Sequence, residues 1–128
     1  YKVHCFGGEP KLVQLDAERF TKHHFRNFYD LDWNLLDYSI SIPNDMTHRE
    51  PRPPLLADML AAARRLAQPF PYARIDFYIS QNRLVFGEIT LTHGGGFVIS
   101  RPEGLNRTMG DWITLPAPKN PVGGKVLE

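Results

Sequence analysis

Between Arg74 and Leu91 the chain alternates apolar and polar residues so regularly that this stretch has to be extended. Ile75, Phe77 and Ile79 are interleaved with Arg74, Asp76 and Tyr78; past a polar connector, Val85, Ile89 and Leu91 fall on one side and Phe86, Glu88 and Thr90 on the other. A period of two in Ile, Val, Phe and Tyr is the pattern of half-buried strands. The connector Gln81-Asn82-Arg83 is expected to close the two strands into a hairpin with a three-residue loop, since Asn accepts the left-handed backbone such loops need. That loop pairs Ser80 with Leu84, Tyr78 with Phe86, Asp76 with Glu88 and Arg74 with Thr90. A two-residue loop would shift the parity and send Asp76 and Glu88 to opposite faces.

In the expected register two carboxylates share one face with Cβ atoms about 4.5–5.5 Å apart. Like charges at about 5 Å and an effective dielectric near 20 repel by roughly 3 kcal/mol. Three solutions are open: one carboxylate takes a raised pKa, Arg74 intervenes, or a divalent cation sits between them. An outward-facing strand pair salted by Arg74 needs no ligand at all. Two carboxylates with a nearby hydroxyl suit a hard cation such as Mg2+, which is commonly shared with nucleotide phosphates.

These residues carry a resemblance. The run Arg74-Ile75-Asp76-Phe77, a hairpin, Glu88-Ile89-Thr90 and the glycine-rich Thr92-His93-Gly94-Gly95-Gly96 resemble the metal-binding end of the ATP-grasp fold. Within that superfamily the chain is most similar to the TupA-like branch associated with polysaccharide (teichuronopeptide) biosynthesis. The similarity is carried by YKVHCFGGEPKLV at the start, FYDLDWN, RIDFY, FGEIT and the late MGDW, so that it covers residues 1 to about 112. The resemblance implies ATP and Mg2+ as cofactors, with Asp76 and Glu88 as metal ligands bridging the phosphates. It implies that Arg74 steadies phosphate or acyl-phosphate oxygens, and that Lys2 and Arg19 approach the nucleotide. Thr90 stands where Asn is usual; a hydroxyl is a weaker ligand, so Thr90 is expected to bind weakly or from the outer shell. The implied reaction is ATP-dependent joining of a carboxylate substrate, such as an acidic polysaccharide precursor, to an amine donor through an acyl phosphate.

Composition bounds the rest. The 128 residues carry a net charge of +1, 42% hydrophobic and 23% charged residues, as in an ordinary soluble globular domain. Near-neutral charge gives no support to a nucleic-acid partner. The single cysteine, Cys5, excludes an internal disulfide and fits a reducing, cytoplasmic compartment. No apolar run approaches the roughly 18 residues of a membrane span.

Along the chain, Tyr1 to Phe6, the turn Gly7-Gly8-Glu9-Pro10 and Lys11 to Leu15 read as a first hairpin, with Tyr1, Val3 and Cys5 on one face and Lys2, His4 and Phe6 on the other. Cys5 reads as a packed thiol. Arg19, Lys22, His23, His24 and Arg26 form a basic cluster around Phe20, Phe25 and Phe28, readable as a triphosphate contact or as a loop pinned by its aromatics. Trp33, Leu35, Leu36, Tyr38, Ile40 and Ile42 are expected to cover the sheet. Leu55 to Gln68 reads as the one long helix, entered from Pro53-Pro54 and stopped by Pro69 and Pro71, with Leu55, Met59, Ala63 and Leu66 as its apolar stripe, joined by Leu56 and Leu60. Phe97-Val98-Ile99 reads as a short strand and Leu105 to Leu115 as a closing helix.

The fold class expected is α+β: a mainly antiparallel sheet with one long packed helix, forming a C-terminal ATP-grasp-like subdomain over residues 1–115, with a flexible tail at 116–128. The chain opens in a strand-like run without an initiator Met, as a fragment of a longer protein would, and the resemblance places a nucleotide-gripping N-terminal lobe outside it. Little ligase activity is therefore expected of these residues alone. The other classes are a non-enzymatic module whose aromatic segment 20–38 binds a glycan or a protein, and a degenerate ATP-grasp relative that no longer takes metal.

Overall fold

The computed structural model describes residues 1–17, 23–91 and the strand at 99–101. Its strands are β1 (Lys2–Phe6), β2 (Glu9–Ala17), β3 (Phe25–Tyr29), β4 (Leu35–Leu36), β5 (Ser39–Ile40), β6 (Tyr72–Ser80), β7 (Arg83–Thr90) and β8 (Ile99–Arg101), and its helix is α1 (Leu56–Ala67). Six strands form one sheet in the order β4-β3-β2-β1-β6-β7, and β5 pairs with β8 in a second, two-stranded sheet. Every pairing is antiparallel. This is the α+β architecture expected, an antiparallel sheet with one helix packed on it. The expected Arg19, Lys22, Phe20, Thr92–Gly96, Phe97, Val98, the closing helix and the tail lie outside the described residues.

Each face of the sheet has its own core. On one face α1 lays Leu56, Met59, Ala63 and Ala67 against Val3, Cys5, Val13, Ala73, Ile75 and Phe77, all nearly inaccessible to solvent. Fully burying side chains the size of Leu56 and Met59 stabilises by about 1.5–3 kcal/mol each. The stripe expected through Leu55 and Leu66 is rotated: Leu66 is 42% exposed, and Ala67 takes the buried position instead. Two alanines on the buried stripe leave room for the helix to sit close to the small β1 and β6 residues Cys5 and Ala73. On the opposite face Phe6, Leu12, Phe28, Ile40 and Tyr72 pack together with Leu36 and Tyr38, so that the segment expected to cover the sheet does so through Leu36, Tyr38 and Ile40. Trp33 goes to the helix side, stacked flat on Tyr29 at 4.1 Å.

The segment 16–50, which lacks a regular sequence pattern, nevertheless contains the end of β2 and three further strands. Its order comes from polar side chains. Fully buried Asn27 donates to the carbonyls of Asp45 and His48 and accepts from the Asp45 amide at 2.8 Å, and Trp33 donates its indole N–H to the Glu50 carbonyl.

Both hairpins turn more tightly than expected. The first turn is only Gly7-Gly8, both at positive φ, and β2 already begins at Glu9. In the second, the turn is Gln81-Asn82, with φ of 51° and 61°, and Ser80 pairs with Arg83. The expected pairs Ser80–Leu84 and Tyr78–Phe86 are therefore wrong; Ile79 faces Leu84, Tyr78 faces Val85 and Phe77 faces Phe86. The register then shifts by one residue between Asp76 and Phe77, a β-bulge at Gly87, and beyond it Asp76 faces Glu88, Ile75 faces Ile89 and Arg74 faces Thr90. The bulge restores the parity that the two-residue turn removes. The two-residue turn, ahead of the bulge, moves Phe86 to the helix side, in edge contact with Phe77, and Val85 to the carboxylate side, the reverse of the expected assignment.

Candidate functional site

Antiparallel pairing transmits side-chain direction from strand to strand, because directly opposed residues share a face. Lys2 pairs with Gln14 on β2 and Asp76 on β6; His4 pairs with Leu12 and Arg74; Asp76 pairs with Glu88 and Arg74 with Thr90 on β7. Gln14 and Asp16 in turn face Phe28 and Arg26 on β3. One face of the sheet therefore carries Arg26, Asp16, Lys2, Asp76 and Glu88, alternating in sign as far as the two opposed carboxylates, with Arg74 beside those two.

Asp76 is the centre of this row. It is 7% exposed, and both carboxylate oxygens are engaged. Arg74 donates from Nε to Oδ1 at 2.9 Å and from an Nη to Oδ2 at 3.1 Å, while Lys2 Nζ donates to the same Oδ2 at 3.0 Å. Arg74 reaches further, to the Thr90 hydroxyl at 3.4 Å. Burial opposes the charge on Arg74, but the hydrogen bond and charge of Asp76 outweigh it and raise the guanidinium above its usual range. Of the three ways to relieve two opposed carboxylates, the described structure uses the intervening cation, and it uses two of them. Lys2 is accordingly a partner of Asp76, and its head group is not simply solvated.

Glu88 differs from Asp76. It is exposed and accepts no hydrogen bond among the described residues. With Lys2, Asp76, Tyr78 and Gly87 it lines an open depression of about 370 Å³ on the carboxylate face. Arg74 is not part of that lining, so the cation facing the depression is the Lys2 ammonium.

Beside the depression runs a hydrogen-bond chain that the sequence reading missed. Arg26 holds the Asp16 carboxylate with two donors, at 2.7 and 3.2 Å. Burial would raise the Asp16 pKa, but Arg26, Gln14 and Lys2 together hold it below the usual carboxylate range. The remaining polarity follows by elimination. An ionised Asp16 only accepts, so the Gln14 amide N–H donates to it at 3.0 Å; the Gln14 carbonyl then faces His4 Nε2 at 2.7 Å, and Nε2 must carry the proton. His4 Nδ1 is left as an acceptor for the Tyr72 hydroxyl at 2.8 Å. Deep burial lowers the His4 pKa to about 4, so the ring is neutral at physiological pH, and burial raises that of Tyr72. The signal that could have found this chain was the pair of i,i+2 polar spacings, Lys2/His4 and Gln14/Asp16, on adjacent strands. Cys5 is a packed thiol, its pKa pushed by burial to about 12, with no role at the site.

The donor set can be tested against a hard cation. Among the described residues no group of three His, Cys, Asp or Glu side chains forms a metal cage. Mg2+ does not need one, since it is commonly held by one or two carboxylates with phosphates and water completing the shell. Asp76 accepts three hydrogen bonds and Glu88 accepts none, which leaves oxygen lone pairs on both, and Lys2 and Arg74 offset the two negative charges. The residues fit a metal accompanied by its own anions. Arg19, the other expected nucleotide contact, lies outside the described residues, and Arg26 from the same basic cluster is committed to Asp16.

A family model described as TupA-like ATPgrasp matches residues 1–114. No curated protein and no solved structure matches the chain.

Proposed function

The chain belongs to the TupA-like ATP-grasp family, and from that premise we propose that it supplies the metal- and phosphate-binding part of an ATP-dependent carboxylate–amine ligase. The observation that carries the reading is the direct opposition of Asp76 and Glu88 on β6 and β7, with Lys2 and Arg74 supplying positive charge on the same face. Asp76 and Glu88 are the residues that would hold Mg2+, which when bound neutralises the charge on the phosphate oxygens. Arg74, braced between Asp76 and Thr90, orients its guanidinium for oxygens of the transferred phosphoryl group or of the acyl phosphate. Thr90 acts through Arg74, in keeping with the weak role expected of a hydroxyl at this position. Tyr78 lies on the same face as Asp76 and lines the depression.

The substrates in this proposal are a carboxylate, such as an acidic polysaccharide precursor, and an amine, acting in the cytoplasm; the nucleotide-gripping lobe that the family resemblance implies completes the cleft. Among the described residues no helix is long and apolar enough to cross a membrane. The chemistry is tested by trapping. With ATP, carboxylate and hydroxylamine, a ligase working through an acyl phosphate yields ADP, inorganic phosphate and a hydroxamate, in the full-length protein. ATP cleavage to AMP and pyrophosphate would contradict it.

A second reading has its own support. Both oxygens of Asp76 are already held by cations, and Thr90 replaces the usual Asn, as in a relative that keeps the fold without the metal. Such a protein binds ATP and Mg2+ no worse after Asp76→Asn than before.

A further inference from the structure

The two cations on Asp76 are held differently, and the difference has a functional consequence. Arg74 is anchored by a two-pronged contact to both Asp76 oxygens and by a third bond to Thr90. Lys2 makes one contact, to Oδ2. Lys2, not Arg74, borders the depression between Asp76 and Glu88. Its side chain is 22% exposed and ends in a flexible four-carbon stem, whereas its backbone is locked between β2 and β6 in the middle of the sheet. Its position between Asp76 and Asp16 keeps it in a field of negative charge, since Lys2 also contributes to holding Asp16 ionised.

We infer that the Lys2 ammonium is a placeholder cation: it holds Oδ2 of Asp76 in the absence of a metal, and would transfer to a phosphate oxygen when a metal–nucleotide complex enters. The inference rests on the metal- and phosphate-binding reading above and adds an order of binding to it. With Lys2 and Arg74 in place, the charges of Asp76 and Glu88 are already offset, so a bare divalent cation gains little and must displace the ammonium without bringing it an anion in exchange. A cation that brings phosphates provides Lys2 with a new partner. The site thereby discriminates the metal–nucleotide complex from the metal alone.

The test measures Mn2+ binding, from the free-ion electron paramagnetic resonance signal, for the full-length protein as wild type, Lys2→Met and Lys2→Arg, with and without ATP. Removing the placeholder is expected to tighten binding of Mn2+ alone by about tenfold, through the loss of one repelling charge at contact range. The same change is expected to weaken binding of the Mn2+·ATP complex. Lys2→Arg keeps the charge and should bind Mn2+ alone as weakly as wild type. A merely structural Lys2 would weaken both ligands together. Unchanged or weaker Mn2+ binding by Lys2→Met, with Mn2+·ATP still bound by the wild type, overturns the placeholder and leaves the site assignment standing. Failure of the wild type to bind Mn2+·ATP at all overturns both. Should Lys2→Met fail to fold, the wild-type Lys2 ammonium nitrogen provides the same decision by NMR. It should keep its Asp76-bound resonance in Mg2+ alone and shift on addition of Mg2+·ATP; a shift produced equally by Mg2+ alone contradicts the inference.

Discussion

Asp76 and Glu88 stand directly opposite each other on β6 and β7, although the two-residue turn that joins these strands would by itself place Asp76 opposite Gly87. The extra residue of the bulge brings the carboxylates together. A Cβ built on Gly87 would come within 3.2 Å of the Asp76 carbonyl and 3.3 Å of the Tyr78 hydroxyl. A side chain at this position would be crowded, chiefly against the Asp76 carbonyl, so close approach favours glycine at the bulge on which the site is built.

Gly87→Ala is therefore expected to destabilise the chain by about 1–3 kcal/mol, the usual cost of overpacking against backbone. It should also disturb the Asp76 and Glu88 amide resonances more than those of the distant turn at Gln81. Denaturant unfolding and an amide spectrum check both. A stability change confined to the turn would contradict the role given to the bulge.

The turn itself offers a gain. Gln81 and Asn82 both adopt left-handed backbone, the requirement of a type I′ turn, in which Gly at the second position is favoured. Asn82→Gly should stabilise the hairpin by about 0.5–1 kcal/mol, the strain relieved exceeding the added freedom of the unfolded chain. Unfolding midpoints measure it, and a loss of stability would show that the turn is of another type.

His4 sets the pH response. Its pKa is lowered from 6.5 to about 4 by burial, so below pH 6.5 the unfolded chain takes a proton that the folded chain refuses. Stability is full above pH 6.5 and falls towards pH 4 with a slope approaching about 1.4 kcal/mol per pH unit from this one group. Asp16, whose pKa is depressed in the fold, adds its own loss only at lower pH, as the carboxylate is protonated. His4→Gln should flatten the profile between pH 6.5 and 4. An unchanged slope in that variant would place the pH dependence elsewhere.

The two carboxylates should separate in stability while agreeing in ligand binding. Glu88 is exposed and without a hydrogen bond among the described residues, so Glu88→Gln is expected to change folding stability by less than about 0.5 kcal/mol. Asp76→Asn leaves Lys2 and Arg74 side by side without their carboxylate and should cost about 1–3 kcal/mol. Both variants should lose metal–nucleotide binding by tenfold or more, and in the full-length protein ligase turnover by orders of magnitude. Calorimetry with Mg2+·ATP and thermal unfolding give the two readouts.

Much of this was legible in the alternation of Arg74 to Leu91, which identified the strands, the carboxylate pair and Arg74 together. The loop and register near it were not, because a two-residue turn plus a bulge and a three-residue loop produce the same pairing at Asp76; only the backbone at Gln81 and Gly87 tells them apart. The helix was visible from its prolines, but its buried stripe was misplaced by one position at its end, since hydrophobicity favours Leu66 where close packing favours Ala67. Strands β3 to β5 were hidden because polar clasps such as Asn27 with residues 45 and 48 order that segment without any apolar period. The chain from Arg26 to Tyr72 required the pairing of four strands, information that exists only once the sheet is assembled. Lys2 was named from resemblance as a phosphate contact; its ion pair with Asp76 comes from the β1–β6 register.

The central claim, that Asp76 and Glu88 form one site for a metal–phosphate complex, is tested most directly by titrating the isotope-labelled chain with Mn2+ in the presence of ATP and following amide line broadening. The account predicts broadening centred on Asp76, Gly87 and Glu88, extending to Lys2, relieved by excess Mg2+, and absent from α1. Broadening spread evenly over surface carboxylates, or none at the β6–β7 pair with nucleotide present, would contradict it.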